Sequence, residues 1–178
     1  MITAKEFFNR WKDVVKQRQK ILENNWRNNA LFTNEIINKD NSVIEEIATE
    51  LGLLSYTSNY YSIDTILYSK EDLVPKINEN TYWFKEIKVA FEHENRYDKN
   101  LYQEVSHLLI TRCDMRVLVS YHPHDKEPIS DYLHEIIKGT SFEKEISDNE
   151  SFLLILGYEN KFQWEGFVYK SEKWTEIN

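Results

Sequence analysis

The feature of this sequence that most constrains its fold is a strand, a helix and a second strand in succession between residues 89 and 121. The first strand is "VAFEHEN", the helix lies in "NLYQEVSHLLITRC", and the second strand is "MRVLVSYH". A short apolar run such as the last is typical of a strand buried on both faces of a parallel sheet. Two strands joined in this way through a helix are parallel, with a right-handed crossover. The pattern therefore predicts an α/β protein.

The flanking segments extend this prediction. Apolar residues at helical spacing predict a long first helix from Thr3 to about Asn25. They also predict a second helix from about Asn41 or Ser42 to Leu51, where Gly52 ends it. A further helix is predicted in "ISDYLHEIIKGTSFEKEI" and strands in "SYTSNYYSIDTILYS". The segments "SFLLILGYE" and "FQWEGFVYK" are predicted to pair as an antiparallel hairpin. Helices before, between and after the strands predict a three-layer α/β/α domain with a central mixed sheet.

The length of 178 residues predicts a single domain, 1–178. Within it we distinguish a helical, basic N-terminal segment (1–40), a core (42–121), and a C-terminal helix with a β-hairpin (122–178). Residues 1–28 hold seven Lys or Arg and three Asp or Glu, a net +4, whereas the whole chain carries −8. An acidic balance counts against a surface built for nucleic acid. The basic segment is either a solvated helix face or an arm that lies along a phosphate backbone.

Other features of the sequence exclude several classes of protein. The longest apolar run is "FLLIL" and the opening segment is charged, so we expect a cytoplasmic protein that does not enter a membrane. Four scattered glycines provide no phosphate-binding loop. The single cysteine, Cys113, forms no internal disulfide, and one His-x-His pair, His122 and His124, is weak evidence for zinc.

Three acidic residues stand where strands should be apolar. Asp64 interrupts "YYSIDTILY", while Glu92 and Glu94, two residues apart on a strand, share one face. Carboxylates in such positions are costly unless they are paired, protonated or bound to a metal, and carboxylate oxygens suit Mg²⁺ or Mn²⁺. Two alternatives stay open: Asp64 bonds to backbone amides at a bend, or the glutamates lie on a solvated edge with Lys88 or Arg96.

The order of helix, strand, Asp-bearing strand, acidic strand, helix and strand over residues 42–121 resembles the PD-(D/E)XK nuclease superfamily, which has the restriction-endonuclease-like fold. The matching residues are Asp64 and then, 28 positions later, Glu92-His93-Glu94. Two positions differ from the motif. The proline before the aspartate is absent, and Glu94 occupies the position of the motif's lysine.

The resemblance implies a role for each matching residue. Asp64 and Glu92 would bind Mg²⁺ or Mn²⁺, and the main-chain carbonyl of His93 would be a further ligand. Glu94 would act as a base or as a second metal ligand, since the ammonium group that orients the attacking water is missing.

The resemblance also implies contributions from the two flanking helices. An acid on the earlier helix would complete the metal site, and this is Glu46 or, one turn later, Glu50. One branch of the superfamily has Gln-x-x-x-Tyr on the later helix, and Gln103 followed by His107 is similar. Glu104 is a secondary candidate, because it could equally face the acidic residues.

The sequence thus leads to the expectation of an Mg²⁺-dependent or Mn²⁺-dependent endonuclease, a hydrolase of phosphodiester bonds in DNA. The basic first helix would approach the DNA backbone. The alternative is an inactive nuclease fold that acts as a protein-interaction module or accessory subunit, with a protein partner or as a homodimer. A third and weaker hypothesis is an enzyme that acts on a small phosphate compound.

Overall fold

The computed structural model describes residues 2–74, 82–95, 101–122 and 130–178. Within these ranges, seven strands form one mixed sheet in which spatial order follows chain order. The third and fourth of the six pairings in this order are parallel, and the other four are antiparallel. The strands are β1 (Leu54–Tyr56), β2 (Thr65–Tyr68), β3 (Val89–Glu94), β4 (Met115–Tyr121), β5 (Phe152–Tyr158), β6 (Gln163–Lys170) and β7 (Lys173–Ile177).

Helices precede, connect and follow these strands. They are α1 (Ala4–Gln17), α2 (Gln19–Asn25), α3 (Asn29–Thr33), α4 (Val43–Glu50), α5 (Leu101–Ile110), α6 (Ser130–Lys138) and α7 (Glu143–Asp148). A π-helical turn spans Asn34–Asn38, and 3₁₀ turns span Lys70–Asp72 and Glu159–Lys161. The predicted unit of β3, α5 and β4 is confirmed, with β3 and β4 parallel, and so is the antiparallel hairpin of β5 and β6.

The sheet is buried on both faces because its strands alternate apolar side chains between two cores. Phe91 of β3 packs with Trp11 of α1 and Ile44 of α4 on one face. Ala90, the preceding residue, faces the other way and packs with Val105 of α5. This arrangement confirms a mixed α/β architecture with helices on both faces of the sheet.

Two helix boundaries follow from local chemistry. The Thr3 hydroxyl accepts a hydrogen bond from the Glu6 amide at 3.1 Å, which caps α1. At the end of α4, Gly52 has a φ of +70°, in the left-handed region that glycine adopts without steric cost. Both boundaries were predicted from the sequence.

The first helix differs from its prediction. It is not continuous to Asn25, because Arg18 leaves helical geometry with φ of −100° and ψ of 9°, and α2 begins after it. The Arg18 side chain instead contacts Glu46 of α4. The strand β7 also lies outside the prediction, which ended the sheet at the β5–β6 hairpin.

Candidate functional site

Two of the predicted acidic residues meet where β2 begins and β3 ends. Thr65 of β2 pairs with Phe91 of β3 in antiparallel register, so Asp64 stands beside Glu92. The Asp64 amide donates to Glu92 Oε2 at 3.3 Å, and the His93 amide donates to Asp64 Oδ2 at 2.9 Å. These bonds hold both carboxyl groups at the carboxyl end of β3.

The helix α5 adds a carboxylate and an imidazole to the same point. Glu104 and His107 are three residues apart and therefore share a helix face. His107 Nδ1 lies 3.6 Å from Glu104 Oε2 and 3.8 Å from Glu92 Oε1. One ligand atom from each of these three residues lies within 4.8 Å of the other two. We call Asp64, Glu92, Glu104 and His107 the acidic cluster.

Burial changes the ionisation of the cluster. Glu92 is 1% exposed, and burial, followed by the charges of Asp64 and Glu104, raises its pKa to about 10. Burial also raises the pKa of Asp64, although the hydrogen bond from the His93 amide opposes this. Because the raised pKa of Glu92 lies well above 7, the Glu92 carboxyl group retains its proton at neutral pH. At neutral pH the pair therefore holds a proton unless a cation takes its place.

Two atoms of the cluster lack hydrogen bonds. Neither Glu92 Oε1 nor His107 Nδ1 has a hydrogen-bond partner among the described residues. Buried polar atoms are nearly always satisfied in folded proteins, so an unpartnered oxygen on a 1% exposed carboxyl group marks that group as a candidate ligand. The two atoms face each other across 3.8 Å, which is too long for a hydrogen bond.

The cluster has no lysine or arginine counter-ion in the described parts of the chain. The ion pairs of Lys88 are with Asp72, Glu86 and Asp114, at 3.5, 2.6 and 3.8 Å. The alternative that Glu92 lies on a solvated edge with Lys88 is therefore wrong, because Glu92 is buried. Arg96, the other partner considered, lies outside the described residues.

Glu94 lies at the end of β3 and is half-buried. It shares the sheet face of Glu92, and its charge contributes to the raised pKa of Glu104, which is otherwise due mainly to burial. The His93 side chain points to the opposite face, where its Nε2 lies 2.6 Å from the Tyr121 hydroxyl. Only the main chain of His93 therefore contributes to the cluster.

Glu46 is not brought to the cluster. Its Oε2 accepts a hydrogen bond from Arg18 Nε at 3.0 Å. It belongs to α4, which packs on the sheet face of Phe91, whereas Glu92 lies on the opposite face. Glu50, the second choice on this helix, lies 3.8 Å from Arg10. The expected acid from the earlier helix is therefore absent from the cluster, since arginines of the N-terminal segment pair with both candidates.

Gln103 is not brought to the cluster either. Its side chain is exposed, and its Nε2 contacts the Tyr102 hydroxyl at 3.3 Å. The next residue, Glu104, lies in the cluster where Gln103 was expected, because the core residues Val105 and Leu108 fix the rotation of α5. The sequence contained an indication of this, since Glu104 and His107 form a Glu-x-x-His pair on a predicted helix.

Three arginines of the basic segment are engaged in ion pairs. Arg10 and Arg18 contact α4, as described above, and Arg27 Nε lies 2.7 Å from Glu159 Oε1. A cavity of about 740 Å³ lies elsewhere, between α6 and the strands β5 to β7, and its walls include Trp174, Tyr158 and Glu165. It shares no residue with the acidic cluster.

No family model, curated protein or solved structure matches this chain. Among the described helices, none is long and apolar enough to span a membrane. The fold and the cluster define a mixed α/β protein with one buried and two half-buried carboxyl groups and an imidazole at the carboxyl end of β3.

Proposed function

We propose that this chain is a metal-dependent nuclease that hydrolyses phosphodiester bonds in DNA, with Mg²⁺ or Mn²⁺ bound at the acidic cluster. The observation that carries the proposal is the Glu92 carboxyl group, which is buried against Asp64 and whose Oε1 has no hydrogen-bond partner in the part of the chain that the structure describes. Two carboxyl groups in one buried place repel each other when both are ionised. A divalent cation removes that repulsion and provides a reason for their burial.

Two of the distances within the cluster fit a single cation. Two ligand atoms that are each about 2.1 Å from one ion lie at most about 4.2 Å apart. The separations of His107 Nδ1 from Glu92 Oε1 and Glu104 Oε2, 3.8 and 3.6 Å, are within this limit. Carboxylates from the sheet and from α5 approach from two directions, as a coordination site requires.

The residues of the chain have distinct roles in the proposed reaction. The His93 amide keeps Asp64 oriented toward Glu92. Glu94, half-buried at the end of β3, accepts the proton of the attacking water or positions that water. A bound divalent cation supplies a water of lowered pKa and neutralises charge on the scissile phosphate.

The choice of DNA as substrate is supported by the order of elements. The succession α4, β1, β2, β3, α5 and β4, with Asp64 before β2 and Glu92 in β3, agrees with the order that suggested the nuclease superfamily. The basic segment gives less support, since Arg10, Arg18 and Arg27 are engaged in ion pairs within the chain.

The experiment is a cleavage assay on supercoiled plasmid, linear duplex and single-stranded DNA, with Mn²⁺, with Mg²⁺ and with EDTA. We expect cleavage of at least one DNA form with a cation and none with EDTA. Glu92→Gln should lower the rate at least about a hundredfold. Ser106→Ala is the matched control, because the Ser106 hydroxyl donates to the Tyr102 carbonyl at 2.6 Å within α5.

A second candidate function is a non-catalytic interaction module built on the same fold. The observation that favours it is Glu94 in place of the motif's lysine, together with a net charge of −8 that repels phosphate. On this hypothesis the wild-type protein cleaves none of the three DNA forms with either cation. Size-exclusion chromatography with light scattering would then show a homodimer or a complex with a co-purifying protein. A complete absence of cleavage would overturn the nuclease proposal.

A further inference from the structure

We infer that His107 is a direct metal ligand and that it makes the cluster select a first-row transition cation such as Mn²⁺ over Mg²⁺. This inference rests on the proposed metal site and adds the identity of the cation. The resemblance did not assign His107 to the metal, and the expected ligands were oxygen atoms alone.

The placement of His107 on α5 is the first support. Glu104 and His107 form a Glu-x-x-His pair, which presents a carboxylate and an imidazole on one helix face. The same spacing supplies ligands to iron and manganese in helical carboxylate proteins. Here the core residues Val105 and Leu108 anchor the helix and turn this face toward the end of β3.

The contacts of the imidazole are the second support. His107 Nδ1 has no hydrogen-bond partner among the described residues, although the atom itself is buried. The facing atom, Glu92 Oε1, is also unpartnered, on a side chain that is 1% exposed. These two ligand atoms have no hydrogen-bond partner in the described chain and lie 3.8 Å apart, a distance that one shared cation would span.

The chemistry of the ligands sets the preference. Mg²⁺ favours oxygen ligands in near-ideal octahedral geometry and gives up its waters reluctantly. Imidazole nitrogen is a better ligand for first-row transition cations. A site with two or three carboxylates and one imidazole therefore binds Mn²⁺ more tightly than Mg²⁺.

A competing role for His107 is that of a protonated counter-ion to Glu92 and Glu104. The two roles predict opposite effects of removing the imidazole. If His107 is a ligand, its replacement weakens Mn²⁺ binding. If it is a positive counter-ion, its replacement removes repulsion and strengthens Mn²⁺ binding.

The test is calorimetric titration of Mn²⁺ and of Mg²⁺ into the wild-type protein and three variants, namely His107→Gln, Glu92→Gln and Ser106→Ala. We expect the wild type and Ser106→Ala to bind Mn²⁺ more tightly than Mg²⁺. His107→Gln should lose at least about tenfold in Mn²⁺ affinity, as even outer-shell partners of metal ligands cost that much. Its Mg²⁺ affinity should change less.

Pulsed EPR of bound Mn²⁺ keeps the inference falsifiable if a variant fails to fold. We expect nitrogen-14 coupling from one imidazole in the wild type, and none in His107→Gln. One outcome would overturn only the role of His107. In it, both cations bind in a way that requires Glu92, the wild type shows no nitrogen coupling, and the ratio of Mn²⁺ to Mg²⁺ affinity is unchanged in His107→Gln. Binding of neither cation, or binding unaffected by Glu92→Gln, would overturn the proposed metal site itself.

Discussion

At the scale of single residues, Glu92 has the least ordinary environment in the described chain. Its carboxyl group is 1% exposed inside a sheet, and it lies against another carboxyl group. Such a placement lowers the stability of the folded protein, because the unfolded chain ionises Glu92 freely in water. The two apolar cores of the sheet offset this cost.

The pH dependence of stability should report this environment. Glu92 has a pKa of about 10 in the folded protein and an ordinary value of 4.5. Between these pH values the folded state keeps a proton that the unfolded state releases. The stability contributed by that proton is fully present below pH 4.5 and is lost as pH rises through this window, by up to about 1.4 kcal/mol per pH unit.

Glu92→Gln removes this titration. The difference in stability between the variant and the wild type should be small at pH 5 and should favour the variant increasingly toward pH 9. The measurement is urea unfolding at several pH values in the presence of EDTA. Parallel pH profiles for the two proteins would contradict the assignment.

The turn before Asp64 shows how a single residue is placed. Asn59, Tyr61 and Ser62 have φ values of 51°, 51° and 72°, in the left-handed region that is costly for residues other than glycine. The Asn59 side chain compensates in part, since its Oδ1 accepts a hydrogen bond from the Ser62 amide at 2.9 Å. The turn directs the chain into β2, so that Asp64 stands beside Glu92.

At the scale of elements, the packing of α5 on β3 and β4 builds the cluster. The apolar stripe of α5 faces the sheet, and this leaves Glu104 and His107 along its edge toward Glu92. A rotation of the helix by one residue would present Gln103 instead. The contacts of the stripe with the sheet therefore decide which polar side chains reach the site.

Another contact between elements predicts a stability effect. Gly166 of β6 lies under the Phe8 ring of α1, and a Cβ atom at this position would be 2.8 Å from Phe8 Cδ1. Gly166→Ala should therefore lower the free energy of unfolding by about 1–3 kcal/mol through overpacking. Urea unfolding followed by circular dichroism would measure it.

A double variant distinguishes the proposed cause. Phe8→Leu in the Gly166→Ala background should make the added methyl less costly than it is in the wild-type background, because the ring is gone. If the alanine costs the same in both backgrounds, the ring contact is not its cause. Gly52 is a contrasting position, because its φ is positive and a Cβ atom added there would meet nothing within 4 Å, so strain alone would act.

At the scale of the whole molecule, one sheet joins two apolar cores. The larger aromatic side chains Trp11 and Phe32 lie in the core on the α1 and α4 face, and Tyr169 and Phe152 lie in the core on the α5 and α6 face. Because β3, β4 and β5 contribute side chains to both, neither core can be lost without exposing the other side of the same strands. Unfolding should therefore be cooperative.

Mutations in the two cores test this cooperativity. Leu22→Ala acts in the first core and Leu133→Ala in the second, and each residue is fully buried. Each change should lower the free energy of unfolding by about 2–5 kcal/mol. For each variant, the unfolding transitions followed by tryptophan fluorescence and by far-ultraviolet circular dichroism should shift together and have the same urea midpoint.

The fluorescence signal makes the comparison informative. Trp11, Trp26 and Trp164 contact one another or belong to the first core. If the two faces unfolded separately, Leu133→Ala would leave much of the fluorescence transition in place. Separate transitions for the two probes would thus contradict a single cooperative unit.

The sequence by itself determined the elements whose patterns are local. The parallel unit of β3, α5 and β4, the β5–β6 hairpin, the cap at Thr3 and the glycine end of α4 all follow from residues close together in the chain. The sequence also grouped Asp64 with Glu92 as acids on neighbouring strands, whereas the antiparallel register that sets them side by side comes from the structure.

Only the tertiary structure decided which other side chains reach these two. Arg18 engages Glu46 across 28 residues of chain, and this contact accompanies both the break in the first helix and the absence of Glu46 from the cluster. The packing of α5 chose Glu104 and His107 over Gln103. Periodicity shows which residues share a face, but the surroundings of that face depend on segments distant in sequence, and so does the burial of Glu92.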